Sequence, residues 1–426
     1  MTGVRAPRSG ERIVGWLQGR LSPTPTHLPW KWELVRLTTV ARLESGHTPS
    51  RRRPEYWGGD IPWISLHDSA ALDVPEIQTT ALSISALGLE NSSARLLPKG
   101  TVVFSRTATV GKATVMGRQM ATSQDFANYI CGSQLHNRYL MHLFRFMAPE
   151  WKRLMAGSTH NSIYMPVFKD LQILLPPYAE QEAIAEALSD ADTLIESLER
   201  LLAKKRQIKQ GAMQELLSGR RRLPGFCGEW EVNRLEALGI WVGGMTPALR
   251  NLEYWKNGTF PWVSSGDVKS TLLTSTAFAV SEYAIRQGAA PLLPAKSIII
   301  VMRSGILRNF LPVAMAMVPM SINQDIKALI PSKQALAEYM LHALTWNGSR
   351  IRARCLKSGT TVESIEFRWL KEFTIPVPPL PEQAAIAAIL SDMDAEIDAL
   401  EAKLTKAREV KQGMMQELLT GRIRLV

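Results

Sequence analysis

A duplicated order constrains this chain more than any other feature of it. Ala-Glu-Gln-Glu-Ala-Ile-Ala at 179–185 returns as Pro-Glu-Gln-Ala-Ala-Ile-Ala at 381–387, so that Gln383 stands 202 residues after Gln181. The offset then holds without a gap to Met-Gln-Glu-Leu-Leu-Ser-Gly-Arg at 213–220 and Met-Gln-Glu-Leu-Leu-Thr-Gly-Arg at 415–422. Upstream the repeat carries small insertions. Trp32-Glu33 matches Trp230-Glu231, Thr48-Pro49 matches Thr246-Pro247 and Tyr56-Trp57 matches Tyr254-Trp255, each at an offset of 198. Pro62-Trp63 pairs with Pro261-Trp262, Gln124-Asp125 with Gln324-Asp325, and Gly157-Ser158-Thr159 with Gly359-Thr360-Thr361. Self-similarity of this kind dictates two copies of one structural unit.

Each copy is a mixed region followed by a helix. Thr101–Phe104 and Ser297–Val301 read as buried strands after a Pro and turn residues. Leu140–Met147 and Leu336–Leu344 read as helices. The expected class is therefore α+β, with two tandem α+β domains separated by two long antiparallel coiled-coil helices in a pseudo-two-fold internal repeat. The boundaries expected are a segment at 1–27, a first domain at 28–176, a first helix at 177–222, a second domain at 223–377 and a second helix at 378–426.

The helices announce themselves by spacing. Ile184, Leu188, Ala191, Ile195, Leu198 and Leu202 alternate steps of four and three, and Ile386, Leu390, Met393, Ile397, Leu400 and Leu404 repeat them. Pro176-Pro177 and Pro378-Pro379 mark the starts; Gly219 and Gly421 mark the ends. A helix from Glu180 to Ser218 is roughly 58 Å long. Glu180–Glu199 holds seven acids and no base, whereas Arg200–Arg222 holds eight bases and one acid. The second copy repeats this polarity, with six acids in Glu382–Glu401 and six bases after it. Macrodipole compensation explains part of the pattern. The sharper reading is antiparallel pairing, which sets each acidic half against a basic one and gives the apolar seam a partner; the alternative is two separate helices. Gly211 and Gly413 interrupt both helices at matched positions and imply either close packing against a neighbour or a kink.

Composition narrows the function. Fifty Lys and Arg against 39 Asp and Glu leave a net charge of +11, which suits a polyanion. Cys131, Cys227 and Cys355 are too scattered for a disulfide framework or zinc site, and the seven histidines have no metal-ligand spacing. No apolar run spans a membrane, since the one near Leu292–Met302 is broken by Pro294 and Lys296. Met1–Arg20 has no apolar signal core, so a soluble, cytoplasmic protein is expected. Leu175-Pro176-Pro177-Tyr178 lacks the polar first residue with which DNA adenine methyltransferases hold the adenine amino group, and Gly111-Lys112-Ala113 is not a P-loop. No glycine-rich loop for S-adenosylmethionine follows a first strand either, so neither methyl-donor nor nucleotide machinery is expected on this chain.

The ordered motifs resemble those of the specificity subunits of Type I restriction–modification systems. They are Gly46-His47-Thr48-Pro49, then Glu55-Tyr56-Trp57-Gly58-Gly59-Asp60-Ile61-Pro62-Trp63-Ile64, then Phe104-Ser105-Arg106 and Pro176-Pro177-x-x-Glu180-Gln181. The closing Gln-Glu-Leu-Leu-Ser/Thr-Gly-Arg of each helix belongs to the same pattern, and the resemblance covers about 28–426. It implies a non-catalytic protein whose two domains each read one half of a split sequence in double-stranded DNA. The helices would act as spacer and as docking sites for two methyltransferase (modification) subunits. Two ATP-driven restriction (translocase–nuclease) subunits would complete the complex. No cofactor is expected on this chain; S-adenosylmethionine, ATP and Mg would sit on the partners. The rivals are a self-contained methyltransferase or nuclease and a coiled-coil adaptor without DNA specificity.

Candidate DNA contacts follow from the resemblance and from side-chain chemistry. Arg51, Arg52 and Arg53 form a cluster for phosphate contact or guanine readout, or else a solvated loop. Ser123-Gln124 and Asn323-Gln324 either read adenine, as Gln can through N6 and N7, or cap a turn. Thr48, Ser105 and Arg106 in the first copy, and Thr246, Arg303 and Ser304 in the second, lie in the shared motifs. Ser158, Thr159, His160, Thr360 and Thr361 belong to small polar loops suited to a groove or to mere connection. Trp57, Trp63, Trp255 and Trp262 are expected as core anchors. Ile184, Leu188, Ile195, Leu198, Leu202, Ile386, Leu390, Ile397, Leu400 and Leu404 are the coiled-coil and partner-docking candidates.

Overall fold

The run Val102-Val103-Phe104 lies in the central strand of a five-stranded sheet, and its burial on both faces has a two-sided cause. In the order of the sheet the strands are Ala41–Ser45, Phe126–Cys131, Val102–Ser105, Ala113–Met116 and Glu76–Ile77. The last pair is parallel and the others antiparallel. Successive side chains of a strand face opposite ways. Val102 and Phe104 pack under helix Asn137–Phe146 with Tyr139, Leu140 and Phe144. Val103 points into a second core with Ile64, Leu72, Met116 and Phe126, beneath a small sheet of Leu82–Ile84, Trp57–Ile64 and Ala121–Thr122. A third pairing, Glu33–Arg36 with Gln172–Leu175, brings the entry and exit of the domain together.

The computed structural model describes residues 28–155, 162–357 and 362–425. They gather into two units. The first runs to Glu199 and resumes at Ala402; the second is Arg200–Glu401. In the second unit the sheet order is Gly239–Gly243, Ile326–Pro331, Ile298–Val301, Val313–Ala316 and Leu272–Leu273. Ile298 and Ile300 face the helices, Ile299 and Val301 the small sheet. Helix Ala337–Trp346 occupies the place of Asn137–Phe146, and both helices begin close to where the sequence puts them.

The long helices run Tyr178–Leu217 and Leu380–Leu418, each beginning directly after its Pro-Pro pair. Both are followed by a glycine in the left-handed region, Gly219 at φ 72° and Gly421 at φ 69°. Each unit contains the start of one helix and the end of the other, lying antiparallel. In the first unit Arg408 Nη2 meets Glu199 Oε1 at 2.5 Å and Lys411 pairs with Asp192. In the second, Arg206 Nη2 meets Glu401 Oε1 at 2.6 Å and Lys209 pairs with Asp394. These are the acid-against-base contacts that the charge polarity implies.

The Glu-Gln of each helix start joins three segments. Fully buried Glu180 accepts from Arg424 Nη2 at 2.7 Å and from Trp32 Nε1 at 2.9 Å. Glu382 accepts from Arg222 Nη2 at 2.7 Å and Trp230 Nε1 at 3.0 Å. Gln181 accepts from His136 N at 2.8 Å and donates to Gln134 O at 2.9 Å; Gln383 repeats this with Leu336 N and Gln334 O. Burying a carboxylate is tolerable only with such saturation.

Two details of the helices bear on readings that the sequence leaves open. A Cβ on Gly211 or Gly413 would meet nothing within 4 Å, so close packing within the chain does not account for either glycine. Ile184, Leu188, Leu202, Ile386, Leu390, Ile397 and Leu404 are buried, while Ile195, Leu198 and Leu400 are partly buried. Ile184 and Leu188 pack with Leu418 and Leu419; Ile386 and Leu390 pack with Met213, Leu216 and Leu217. The buried positions are taken up by packing inside the chain, which removes them as surface for a partner.

Each unit also buries a histidine at this junction. His142 lies 3.4 Å from Ser189 Oγ and 4.0 Å from Asp192; His342 lies 3.1 Å from Ser391 Oγ and 3.9 Å from Asp394. Serine, histidine and carboxylate invite a nucleophile reading. Burial, with Lys411 and Arg145 nearby, pushes the His142 imidazole down to about 3, and burial pushes His342 down to about 4. Imidazoles so depressed are poor bases at neutral pH. The two trios join the helix that packs on each sheet to the start of the long helix beside it.

Candidate nucleic-acid interface

The shared Gly-x-Thr-Pro segment lies directly on the turn that carries Gln124 or Gln324. A Cβ on Gly46 would sit 2.2 Å from Ser123 O, and one on Gly244 1.8 Å from Asn323 O, so only glycine permits the approach. His47 N then donates to Thr122 O, and Met245 N to Ile322 O, both at 2.9 Å. Two residues beyond the glycine, Thr48 Oγ1 donates to Gln124 Oε1 at 2.6 Å, and Thr246 makes the same bond to Gln324. Both glutamines are exposed. The result is one Thr–Gln platform in each unit.

Beyond the buried Pro49 and Pro247 the chain makes a tight turn. Arg53 N donates to Ser50 O at 3.2 Å, and Asn251 N to Ala248 O at 3.0 Å. The tryptophans hold this turn from below. Trp63 Nε1 donates to His47 O and Trp262 Nε1 to Met245 O, at 3.1 and 3.0 Å. Trp57 Nε1 reaches Ser50 O at 3.2 Å and Trp255 Nε1 reaches Ala248 O at 3.4 Å. In each pair the rings meet edge to face, with centroids 5.0 Å apart for Trp57 and Trp63 and 5.3 Å for Trp255 and Trp262. The tryptophans are thus anchors, as expected, and what they anchor is an exposed turn.

The arginine cluster occupies that turn. Arg51, Arg52 and Arg53 are all exposed; Arg53 meets Glu55 at 3.4 Å and Arg51 lies 5.9 Å from the Trp57 ring. Among the described residues Arg52 has no side-chain partner, and neither does Arg250, which occupies the matching place in the second turn. Reasoning from the sequence misses Arg250. The signal is present, because the offset of 198 runs unbroken from Thr246 to Trp255.

Several candidates are structural instead. Ser105 is fully buried and bonded to Thr107 O and Thr109 Oγ1. Buried Ser123 and Asn323 cap the turn through Asp125 and Asp325, the structural one of the two roles open to them. Arg106 donates from Nε and Nη2 to Gln124 O, at 2.9 and 2.6 Å, and from Nη1 to Ile163 O at 3.2 Å. Its guanidinium positions the glutamine turn and is not free for a base. Arg303 is exposed with no side-chain partner among the described residues, while Ser304 accepts from Ile306 N as a helix cap. Ser158, Thr159, His160, Thr360 and Thr361 lie outside the described residues. The segments that follow them pair beside the platforms, Ser162 with Thr107 and Ser364 with Arg303.

A sequence model of the Type I restriction modification DNA specificity domain matches this chain twice, at residues 29–209 and 228–409. The chain belongs to that family. Its relatives in the family include the EcoR124I/EcoR124II specificity subunit of Escherichia coli, 39% identical over 185 residues, which are 43% of this chain and 46% of that protein. The match therefore spans about half of that relative. The MjaIX specificity subunit of Methanocaldococcus jannaschii is 25% identical over 93% of this chain and 95% of its own length. The Type I system S subunit from M. genitalium superposes with a TM-score of 0.58 at 15% identity, over 93% of this chain and 98% of that one. A chain from a structure of Type I R-M complex assembly and conformational transition superposes with a TM-score of 0.55 at 18% identity, over 94% of this chain and 100% of that one. At such identities the likeness is one of fold.

Proposed function

We propose that this specificity-family member binds double-stranded DNA, each unit reading one half of a two-part target. The observation that carries this is the duplicated Thr–Gln platform, in which the same threonine-to-glutamine bond recurs in both units beside turns of different sequence. Exposed Gln124 and Gln324 suit an adenine edge, and Arg51, Arg52, Arg53 and Arg250 suit phosphate or guanine. The chain performs no chemistry itself. It places methyltransferase subunits, two per complex, on adenines, and two restriction subunits on unmodified DNA. S-adenosylmethionine, ATP and Mg belong to those partners, and the setting is the cytoplasm. No helix among the described residues is long and apolar enough to cross a membrane.

The purified chain should transfer no methyl group, and adding its methyltransferase subunit should yield N6-methyladenine within a split motif. Sequencing the methylated DNA reads both the activity and the motif. Methyl transfer by the chain alone would overturn this reading, as would methylation at random sites by the complex.

The arginine turn gives a second expectation. Replacing Arg51, Arg52 and Arg53 together with alanine should weaken DNA binding and reduce the slope of log K against log salt by up to about 2.7, or roughly 0.9 for each phosphate no longer neutralised. Titration of the complex at several salt concentrations measures it. An unchanged slope would assign the cluster to solvent.

A further inference from the structure

The two turns are alike in hydrogen bonding and differ in what they present. Their central residues are Arg51-Arg52 in the first unit and Leu249-Arg250 in the second. The second central position is arginine in both, which suits a contact that every target offers, namely the phosphate backbone. The first changes from a cation with five donors to a hydrocarbon. Leu249 is 72% exposed, and Met245 and Leu252 on the same segment are exposed too, where the first unit has His47 and Pro54. The turn itself is pinned by Trp255 and Trp262, so its leucine is held out into water by a stiff support.

We propose that the first central residue of each turn determines specificity, and that Leu249 reads the 5-methyl group of a thymine in the second half-site. The inference rests on the DNA-reading function above. Leucine has no hydrogen-bonding group, and the thymine methyl is the one apolar feature a base pair offers in the major groove. Gln324 beside the turn is suited to an adenine edge in that same groove, and Thr246 holds its amide oxygen, which fixes its position. Because the turn is already ordered, burying the leucine against a methyl group costs little conformational freedom. Arg51 at the corresponding place can form a bidentate bond with guanine, so one scaffold reads different bases by exchanging a single turn residue.

The test uses the chain assembled with its methyltransferase subunit, on duplexes carrying its methylation motif. Each thymine of the second half-site is replaced in turn by deoxyuridine, which removes only the methyl group. At one position the replacement should weaken binding about four-fold, the worth of one buried methyl group. Leu249→Ala should bind thymine and deoxyuridine equally at that position, and its response to the first half-site should be unchanged. The exposed position makes misfolding of this variant no obstacle, and a melting curve matching the parent's verifies that. A second half-site without thymine, tolerance of deoxyuridine throughout, or full methyl sensitivity in Leu249→Ala would each overturn the inference while leaving DNA reading intact. Loss of all sequence-specific binding by the unaltered complex would instead overturn the function on which it rests.

Discussion

Arg424→Ala should lower the melting temperature of the first unit by about 5–10 °C, and Arg222→Ala should do the same to the second. In each case the damage is to the carboxylate left behind. Glu180 and Glu382 are shut away from water, and each receives two guanidinium nitrogens and one indole N–H. Without the arginine, the indole alone must hold a buried charge, or the acid must take up a proton. Replacing both partners removes that charge, so Arg424→Ala combined with Glu180→Leu should recover much of the loss. Thermal melts of the single and double variants measure both effects. Equal melting of Arg424→Ala and the parent would show that solvent reaches Glu180 after all.

The second large effect concerns specificity. Exchanging residues 28–175 for the corresponding domain of a related protein should replace one half-site completely and leave the other untouched. The structure favours such a graft because the domain's entry and exit are hydrogen-bonded neighbours, Glu33 opposite Leu175 and Arg36 opposite Gln172. The graft must retain the backbone at 134 and 136 that Gln181 holds. Methylation patterns of parent and hybrid read the result directly. Simultaneous change in both half-sites would mean that the domains do not read independently.

The parts of this fold that depend on periodicity are legible in the sequence. The repeat, the two long helices and the buried strands at 102–105 and 298–301 all show in residue spacing, because spacing is what selects a helix or a two-faced buried strand. The antiparallel pairing is legible too, because charge polarity leaves few other satisfying arrangements. What spacing hides is where backbone carbonyls fall. Arg106 looks like a free cation in sequence, yet two carbonyls, those of Gln124 and Ile163, claim its guanidinium. Ser105, Ser123 and Asn323 are likewise claimed by their own turns. Arg250 escapes notice because a lone arginine carries less weight than three in a row, although the repeat marks its position. The roles of Glu180 and Gln181 are hidden because their partners lie far off along the chain.

The first unit is written in two instalments. Residues up to Glu199 are made early, but the helix end that pairs with Asp192, covers Ile184 and supplies Arg424 to Glu180 belongs to the stretch from Ala402 onward. Everything in between, Arg200–Glu401, is the second unit, which is continuous in sequence. At 5–20 residues per second a ribosome takes roughly 10–40 s to cross that interval. The domain begun first is therefore the one finished last, and for that interval Glu180 has no arginine and Ile184 no covering helix. A chain that stops before Arg424 carries the whole span of the second unit but lacks the arginine that Glu180 holds in the first. On the proposed reading, in which each unit serves one half of a split target, the order of synthesis leaves the first half incomplete until the stretch from Ala402 to Arg424 has been made.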